Sequence, residues 1–424
     1  MRHRNGLRLV PGVLWSLATV AVLMLILAAV GAMTRFELVF GPVVVRSQDG
    51  MTQPLPRVGE QGFLPFRGDG QALPAAVADA PRNLILVVGD GMGVSMASAT
   101  SALIHGPDGG FSFERAPVTG YVKTHAANDL VTDSAASATA MASGFKTNKK
   151  MISTLPDGRT VKTLFEAARE AGLATGVVTT SGLMDATPSA FTAHDLHRDH
   201  YEAILTDQLL SGTDVMIGAS WGLLDELDDN PDLAEALTSA EARGVMLVRD
   251  ETQLAAAQAP FVALFPPRER SPDAGGPALE VSVRKALEQL ASDDGGFVLV
   301  VESEETDELG HDNNAQRVVE ATKELDEAIK RILDFAEQRG DTLVLVTADH
   351  DTGAMSIVKG RVGDGHAKIR WASDTHTGAW VPLFAFGPGA RHFGGVLDNT
   401  EIALRSASLL GLEDFPKIEN RTSS

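Results

Sequence analysis

NLILVVGDGMG, residues 83–93, runs an unbroken apolar segment into a glycine-rich turn that carries one carboxylate, Asp90. An apolar run of that length without alternation is the pattern of a strand covered on both faces, as in a parallel sheet. TGVVTT at 175–180, FVLVV at 297–301 and TLVLVT at 342–347 repeat it, and DVMIG from Asp214, GVMLV from Gly244 and VPLFAFG from Val381 offer further strands. Helical periodicity separates them, from Val161 to Glu170 before Gly172 and from Ala315 to Gln338 before Gly340. Each of those glycines is a helix stop. Apolar runs alternating with amphipathic helices predict an α/β domain on a mostly parallel central sheet with helices on both faces.

That domain is expected over residues 83–424, with an acidic, Ala-rich and Pro-punctuated insertion around 223–276 that decorates the core. Ahead of it, residues 34–82 are rich in Gly, Pro and polar side chains and read as an extended linker. Residues 1–33 combine Arg2, Arg4 and Arg8 with a run from Leu9 to Met33 that has no charged residue. A bilayer-spanning helix needs about 20 apolar residues and a signal-peptide core roughly 7 to 15, so length favours an uncleaved anchor at residues 9–33. Val30, Gly31 and Ala32 leave cleavage and secretion open. In both cases the basic leader stays cytoplasmic, which predicts an extracytoplasmic domain, periplasmic if the anchor holds it at an inner membrane. With 36 basic against 56 acidic residues and a net charge of -20, nucleic acid is not an expected partner. The absence of cysteine excludes disulfides, thiolate ligands and a cysteine nucleophile.

Ligands of an open parallel sheet bind beyond the carboxyl ends of its strands, and there the chain carries metal-ligand residue types. Asp90 follows the first run, Asp185 and Thr187 the second, Glu302, Asp307 and His311 the third, and Asp349 and His350 the fourth, while His376 lies just before Val381. VTDSAASATAMASG, residues 131–144, reads as a short helix capped by Asp133 and stopped by Gly144. Ser134 then falls in the first turn, where unpaired N–H groups favour a phosphoryl oxygen. Singly, each feature has an ordinary structural explanation as a turn, a cap or a solvated pair. Together, five carboxylates at one sheet edge repel unless protonated or compensated by cations. Acids and imidazoles without thiols suit Zn²⁺ and Mg²⁺ in more than one site.

NLILVVGDGMG, VTDSAASATAMASG, DATP followed ten residues later by Arg198, VES with Asp307 and His311, TADH and HTG stand in the order of the alkaline phosphatase family, which the chain resembles from about residue 83 to 390. The resemblance implies hydrolysis of phosphate monoesters through a phosphoserine at Ser134, with Arg198 clamping the phosphate. It implies one zinc held by Asp307, His311 and His376, a second by Asp90, Asp349 and His350 with the serine oxygen, and a magnesium by Asp90, Thr187 and Glu302 with Asp185 nearby. Small phosphorylated molecules are the expected substrates, and a homodimer is left open. Two features depart from the family pattern. Glu308 stands where members commonly carry Lys, His or Trp, which implies weaker phosphate retention, and the short stretch between His350 and His376 implies a reduced crown. Phosphodiesters or sulfate esters are the alternative substrates on this fold, and a non-catalytic membrane-anchored phosphate-binding protein is the alternative outside enzymes. Arg198 and the complete third-metal set favour monoesters, and no nucleophile or ligand is lost.

Overall fold

In chain order the strands are β1 (Asn83–Gly89), β2 (Val118–Lys123), β3 (Arg159–Val161), β4 (Ala174–Gly182), β5 (Val215–Ala219), β6 (Met246–Val248), β7 (Phe261–Phe265), β8 (Phe297–Ser303), β9 (Thr342–Thr347), β10 (Asp351–Thr352), β11 (Ser356–Gly360), β12 (Ala367–Arg370), β13 (His376–Thr377), β14 (Val381–Phe386), β15 (Gly395–Asp398) and β16 (Ile418–Thr422). They come from a computed structural model that describes residues 79–220, 222–223, 230–266, 276–362 and 366–422. The anchor or signal segment expected at residues 1–33 and the linker up to residue 78 lie outside the described residues. Among the described residues no helix is long and apolar enough to cross a membrane.

Ten strands form one sheet in the order β15-β2-β14-β9-β1-β8-β4-β5-β7-β6. Neighbours in it pair in parallel except around β14, which runs against both β9 and β2. Every residue of β1, β8 and β9 is buried. Both faces of the sheet centre are therefore covered, the reason these strands read as unbroken apolar runs. The stretch expected as an insertion supplies β6 and β7, which lengthen the sheet at one edge.

The register sets the site. Glu302, near the end of β8, sits opposite Val88 of β1 and Thr179 of β4, and Val88 in turn opposes Thr347 of β9. Four strands thus end at one level, and the residues just past those ends share one rim. The helix Ala315–Arg339 presents Val318, Ala321, Leu325, Ile329, Ile332 and Ala336 as one buried stripe against β1 and β9. It ends at Gly340, in the left-handed region at φ 72°, close to where the sequence predicts. The other predicted helix is shorter than expected. Val161 belongs to β3 and pairs with Ile418 of β16, so the helix begins at Leu164, with Thr163 as its cap.

Candidate active site

Ser134 opens the helix Ser134–Ser143, all of whose residues are buried. Asp133 caps it, its Oδ1 accepting from the Ala136 N–H at 3.1 Å, and Gly144 ends it at φ 77°. Alanine and serine along its length let the helix pack closely against the helix Ala186–Thr192 and the helix Thr400–Leu410. Beneath it Ser137 Oγ donates to the Asp349 carbonyl at 2.7 Å and accepts from Asn399 Nδ2 at 3.0 Å. The helix that carries Ser134 is in this way tied to the segment that carries Asp349 and His350.

Around the serine, His350 Nε2 lies 3.2 Å from Ser134 Oγ, 3.1 Å from Asp349 Oδ2 and 3.4 Å from Asp90 Oδ1. Burial pushes the His350 imidazole down to about 4 against the pull of Asp349, so near neutrality its ring is uncharged. The His350 nitrogen and three oxygens then face one another, an arrangement that a cation among them would satisfy.

A second group forms around Asp307. Its Oδ2 is 3.3 Å from His311 Nε2, and its Oδ1 is 3.6 Å from His376 Nε2. Both imidazoles are oriented from behind: His311 Nδ1 meets the Asp374 carbonyl at 2.7 Å and His376 Nδ1 the Thr132 carbonyl at 3.0 Å. A carbonyl accepts only, so Nδ1 carries the proton and, in the neutral ring, Nε2 is left as a ligand lone pair. The pairing of β10 with β13 sets Thr352 opposite His376, and Thr352 Oγ1 donates to Asp307 Oδ1. Burial works against ionisation of Asp307, yet His311 and His376 hold its carboxyl well below the usual range.

The third group is carboxylate. Asp90 and Glu302 are buried, and both oxygens of Asp90 and Oε1 of Glu302 have no hydrogen-bond partner among the described residues. Thr187 Oγ1 is likewise unpartnered, although it lies close enough to Glu302 to hold its pKa down somewhat. Burial first, then Asp349 and other neighbouring acids, raises the Asp90 carboxyl well above its ordinary value. Burial and Asp185 push Glu302 up to about 8. Asp185 itself caps the helix Ala186–Thr192 and accepts from Arg198 Nη2 at 2.7 Å; Arg198 Nη1 is 3.9 Å from Asp133 Oδ2. The guanidinium therefore sits between the cap of the serine helix and the acid cluster.

Every residue named from sequence for catalysis or metal binding thus lies in these groups. Sequence reasoning assigned no ligand or orienting role to three that belong with them. Thr352 and Asn399 orient others, and Glu304 adds a carboxylate that burial, Asp185 and Glu302 raise well above its ordinary value. Glu308, the acid singled out beforehand, is exposed. The donor chemistry fits bound cations on the residues' own terms. Ligand atoms within 4.8 Å of one another come from Asp307, His311 and His376, from Asp90, Asp307 and His350, and from Asp90, Glu302 and Glu304. Mixed nitrogen and oxygen donors suit zinc, and oxygen alone suits magnesium.

A family model described as alkaline phosphatase matches residues 81–216 and 229–364. Alkaline phosphatase of Escherichia coli K12 is 32% identical over 418 residues, covering 81% of this chain and 89% of the relative. Streptomycin-6-phosphate phosphatase of Streptomyces griseus is 31% identical, covering 78% of this chain and 91% of the relative. Among solved structures, alkaline phosphatase from the Antarctic bacterium TAB5 aligns with a TM-score of 0.71 at 28% identity, covering 79% of this chain and 99% of that one. A variant of that enzyme was solved with Mg bound.

Proposed function

The chain belongs to the alkaline phosphatase family and is a phosphomonoester hydrolase, and we propose that it works through a covalent phosphoserine at Ser134. The observation that carries this reading is the meeting of Ser134 Oγ, His350 Nε2 and the carboxylates of Asp90 and Asp349 at the mouth of a buried helix. In this reading Asp307, His311 and His376 hold one zinc ion and Asp90, Asp349 and His350 a second. Asp90, Thr187 and Glu302, with Asp185 beside them, hold magnesium. Bound there, the cations lower the pKa of the serine hydroxyl and offset charge on the oxygens entering and leaving phosphorus.

The remaining work belongs to the chain. Asp133 fixes the first helical turn through the Ala136 N–H, which keeps Ser134 Oγ directed at the cluster. Arg198, anchored on one side by Asp185, presents its remaining N–H groups to two phosphate oxygens in a planar fork. Ser134 Oγ forms a bond to phosphorus while the bond to the leaving oxygen breaks, and that oxygen takes up a proton. Water then displaces Oγ, releasing inorganic phosphate and restoring the serine hydroxyl.

Hydrolysis of a chromogenic monoester is expected to fall by at least about a thousandfold in Ser134→Ala and to stop on chelation. An acid quench during turnover should leave phosphate on Ser134, read by mass spectrometry. Undiminished activity in the Ala variant or in chelator would sink the proposal. Rates on a monoester and a diester under the same conditions decide between monoester and diester preference. The extracytoplasmic location expected from residues 1–33 is part of the same proposal, and the intact mass of membrane-extracted protein separates an anchored from a cleaved leader.

A further inference from the structure

Glu304 is absent from the ligand set that the family resemblance implies, yet its carboxylate joins the third cluster. One ligand oxygen each from Asp90, Glu302 and Glu304 lie within 4.8 Å of one another. Within that cluster Asp90 and Glu302 are 1% and 0% exposed, and three of their four carboxylate oxygens have no hydrogen-bond partner among the described residues. The backbone that delivers Glu304 is pinned. Its N–H donates to Thr180 Oγ1 at 3.0 Å and its carbonyl accepts from the Asp307 N–H at 2.9 Å. One residue earlier on β4, Thr179 Oγ1 donates to Glu302 Oε2 at 2.6 Å, so adjacent threonines set both glutamates. Three carboxylates at this separation repel one another unless a cation lies among them, and the unpartnered oxygens are the atoms that such a cation would take.

We propose that Glu304 is a direct ligand of the third cation. The site becomes a cluster of three carboxylates, Asp90, Glu302 and Glu304, and selects a hard divalent ion, Mg²⁺ or Mn²⁺, over Zn²⁺. Oxygen donors without an imidazole carry that preference. The inference rests on the reading above that the rim holds cations, and it extends that reading by one ligand residue.

The test uses the full chain, stripped with chelator, reloaded with two equivalents of Zn²⁺ and titrated with Mn²⁺, free Mn²⁺ being read by its paramagnetic resonance signal. Wild type is expected to take up one Mn²⁺ that Mg²⁺ displaces and excess Zn²⁺ displaces poorly. The near-isosteric Glu304→Gln, and Glu304→Ala beside it, should weaken that binding by at least about tenfold while zinc content stays at two per chain. Glu304→Asp, checked for folding by its circular dichroism, should recover part of it. Mn²⁺ affinity within twofold of wild type in the folded Gln variant overturns the proposal, above all if inorganic phosphate then inhibits more strongly, which would make Glu304 a competitor for Arg198. Glu302→Gln separates the two levels. If it weakens Mn²⁺ binding and Glu304→Gln does not, this inference falls alone; if neither does, the reading of the cluster as a cation site falls as well.

Discussion

Gly91 shows how little room the site leaves at the level of one residue. Its φ of +69° is one that side chains other than glycine rarely adopt, and a Cβ there would lie 2.7 Å from Thr352 Oγ1 and 2.8 Å from Asp307 Oδ1. Its N–H donates to Asp349 Oδ1 at 3.1 Å and its carbonyl accepts from the Thr352 N–H at 3.0 Å. One residue without a side chain thus joins β1, the Asp307 group and the Asp349 group. Gly91→Ala is expected to force those groups apart and to cost about 1–3 kcal/mol of stability through backbone strain. Because a displacement of ~1 Å at reacting groups can cost about a hundredfold in rate, kcat/KM on a monoester should fall by roughly that factor. Activity and thermal midpoint both unchanged would show that the turn has slack that the geometry denies.

At the scale of elements, the helix Leu164–Glu170 carries a capping box: Thr163 Oγ1 accepts from the Glu166 N–H at 3.1 Å and Glu166 Oε2 from the Thr163 N–H at 2.8 Å. Thr163→Ala should lose about 1 kcal/mol. The other oxygen of Glu166 lies 3.3 Å from His194 Nε2, and His194 Nδ1 meets the Ser153 carbonyl at 2.9 Å. Burial opposes both charges, yet the mutual hydrogen bond takes Glu166 down to about 2 and raises His194 above its ordinary 6.5. The glutamate's share of stability is complete above its unfolded value of 4.5 and fades as pH falls toward 2; the histidine's share is complete below 6.5 and fades as pH rises past its raised value. Glu166→Gln keeps a capping-box residue and removes the charge. Its deficit, about 1–3 kcal/mol, should peak between about pH 4.5 and 6.5 and shrink on either side, as denaturant midpoints across that range would reveal; a deficit that does not change with pH would refute the pairing. Elements of this kind were only partly legible. β1, β4, β8 and β9 announce themselves because both their faces are buried. β2 alternates exposed and buried residues, with Gly120 at a buried position where a Cβ would lie 2.7 Å from the Phe393 carbonyl oxygen, and no apolar run marks it. Nor does local sequence fix the antiparallel direction of β14, which depends on the strands it lands between.

For the whole molecule, the legible part of the site is its chemistry and the illegible part is which side chains turn inward. Asp90 and Asp349 lie just past strand ends and Glu302 just before one, so their convergence follows from a parallel sheet before any coordinate is known. Glu304 and Glu308 are both acids within one turn of Asp307, and only the packing of that turn against β4 and Asp90 makes the first an inward group and leaves the second exposed. The gathering of so much negative charge at one rim, in a chain of net charge -20, sets up a consequence for stability as well as for rate. Without cations, Asp90 and Glu302 keep buried oxygens with no hydrogen-bond partner among the described residues, and repulsion among them works against folding. A cation that binds only the folded state stabilises it by mass action. Stripping the protein with chelator is therefore expected to lower its thermal midpoint by at least about 5 °C, since a shift of ~2–4 °C corresponds to about 1 kcal/mol in a large domain and the binding of several ions exceeds that. Zn²⁺ with Mg²⁺ should restore more of the midpoint than either alone, because nitrogen-bearing and all-oxygen groups select different ions. A midpoint indifferent to chelation, measured by calorimetry on protein verified to be metal-free, would mean that these acids reach the rim protonated and that the fold does not depend on the ions for its own stability.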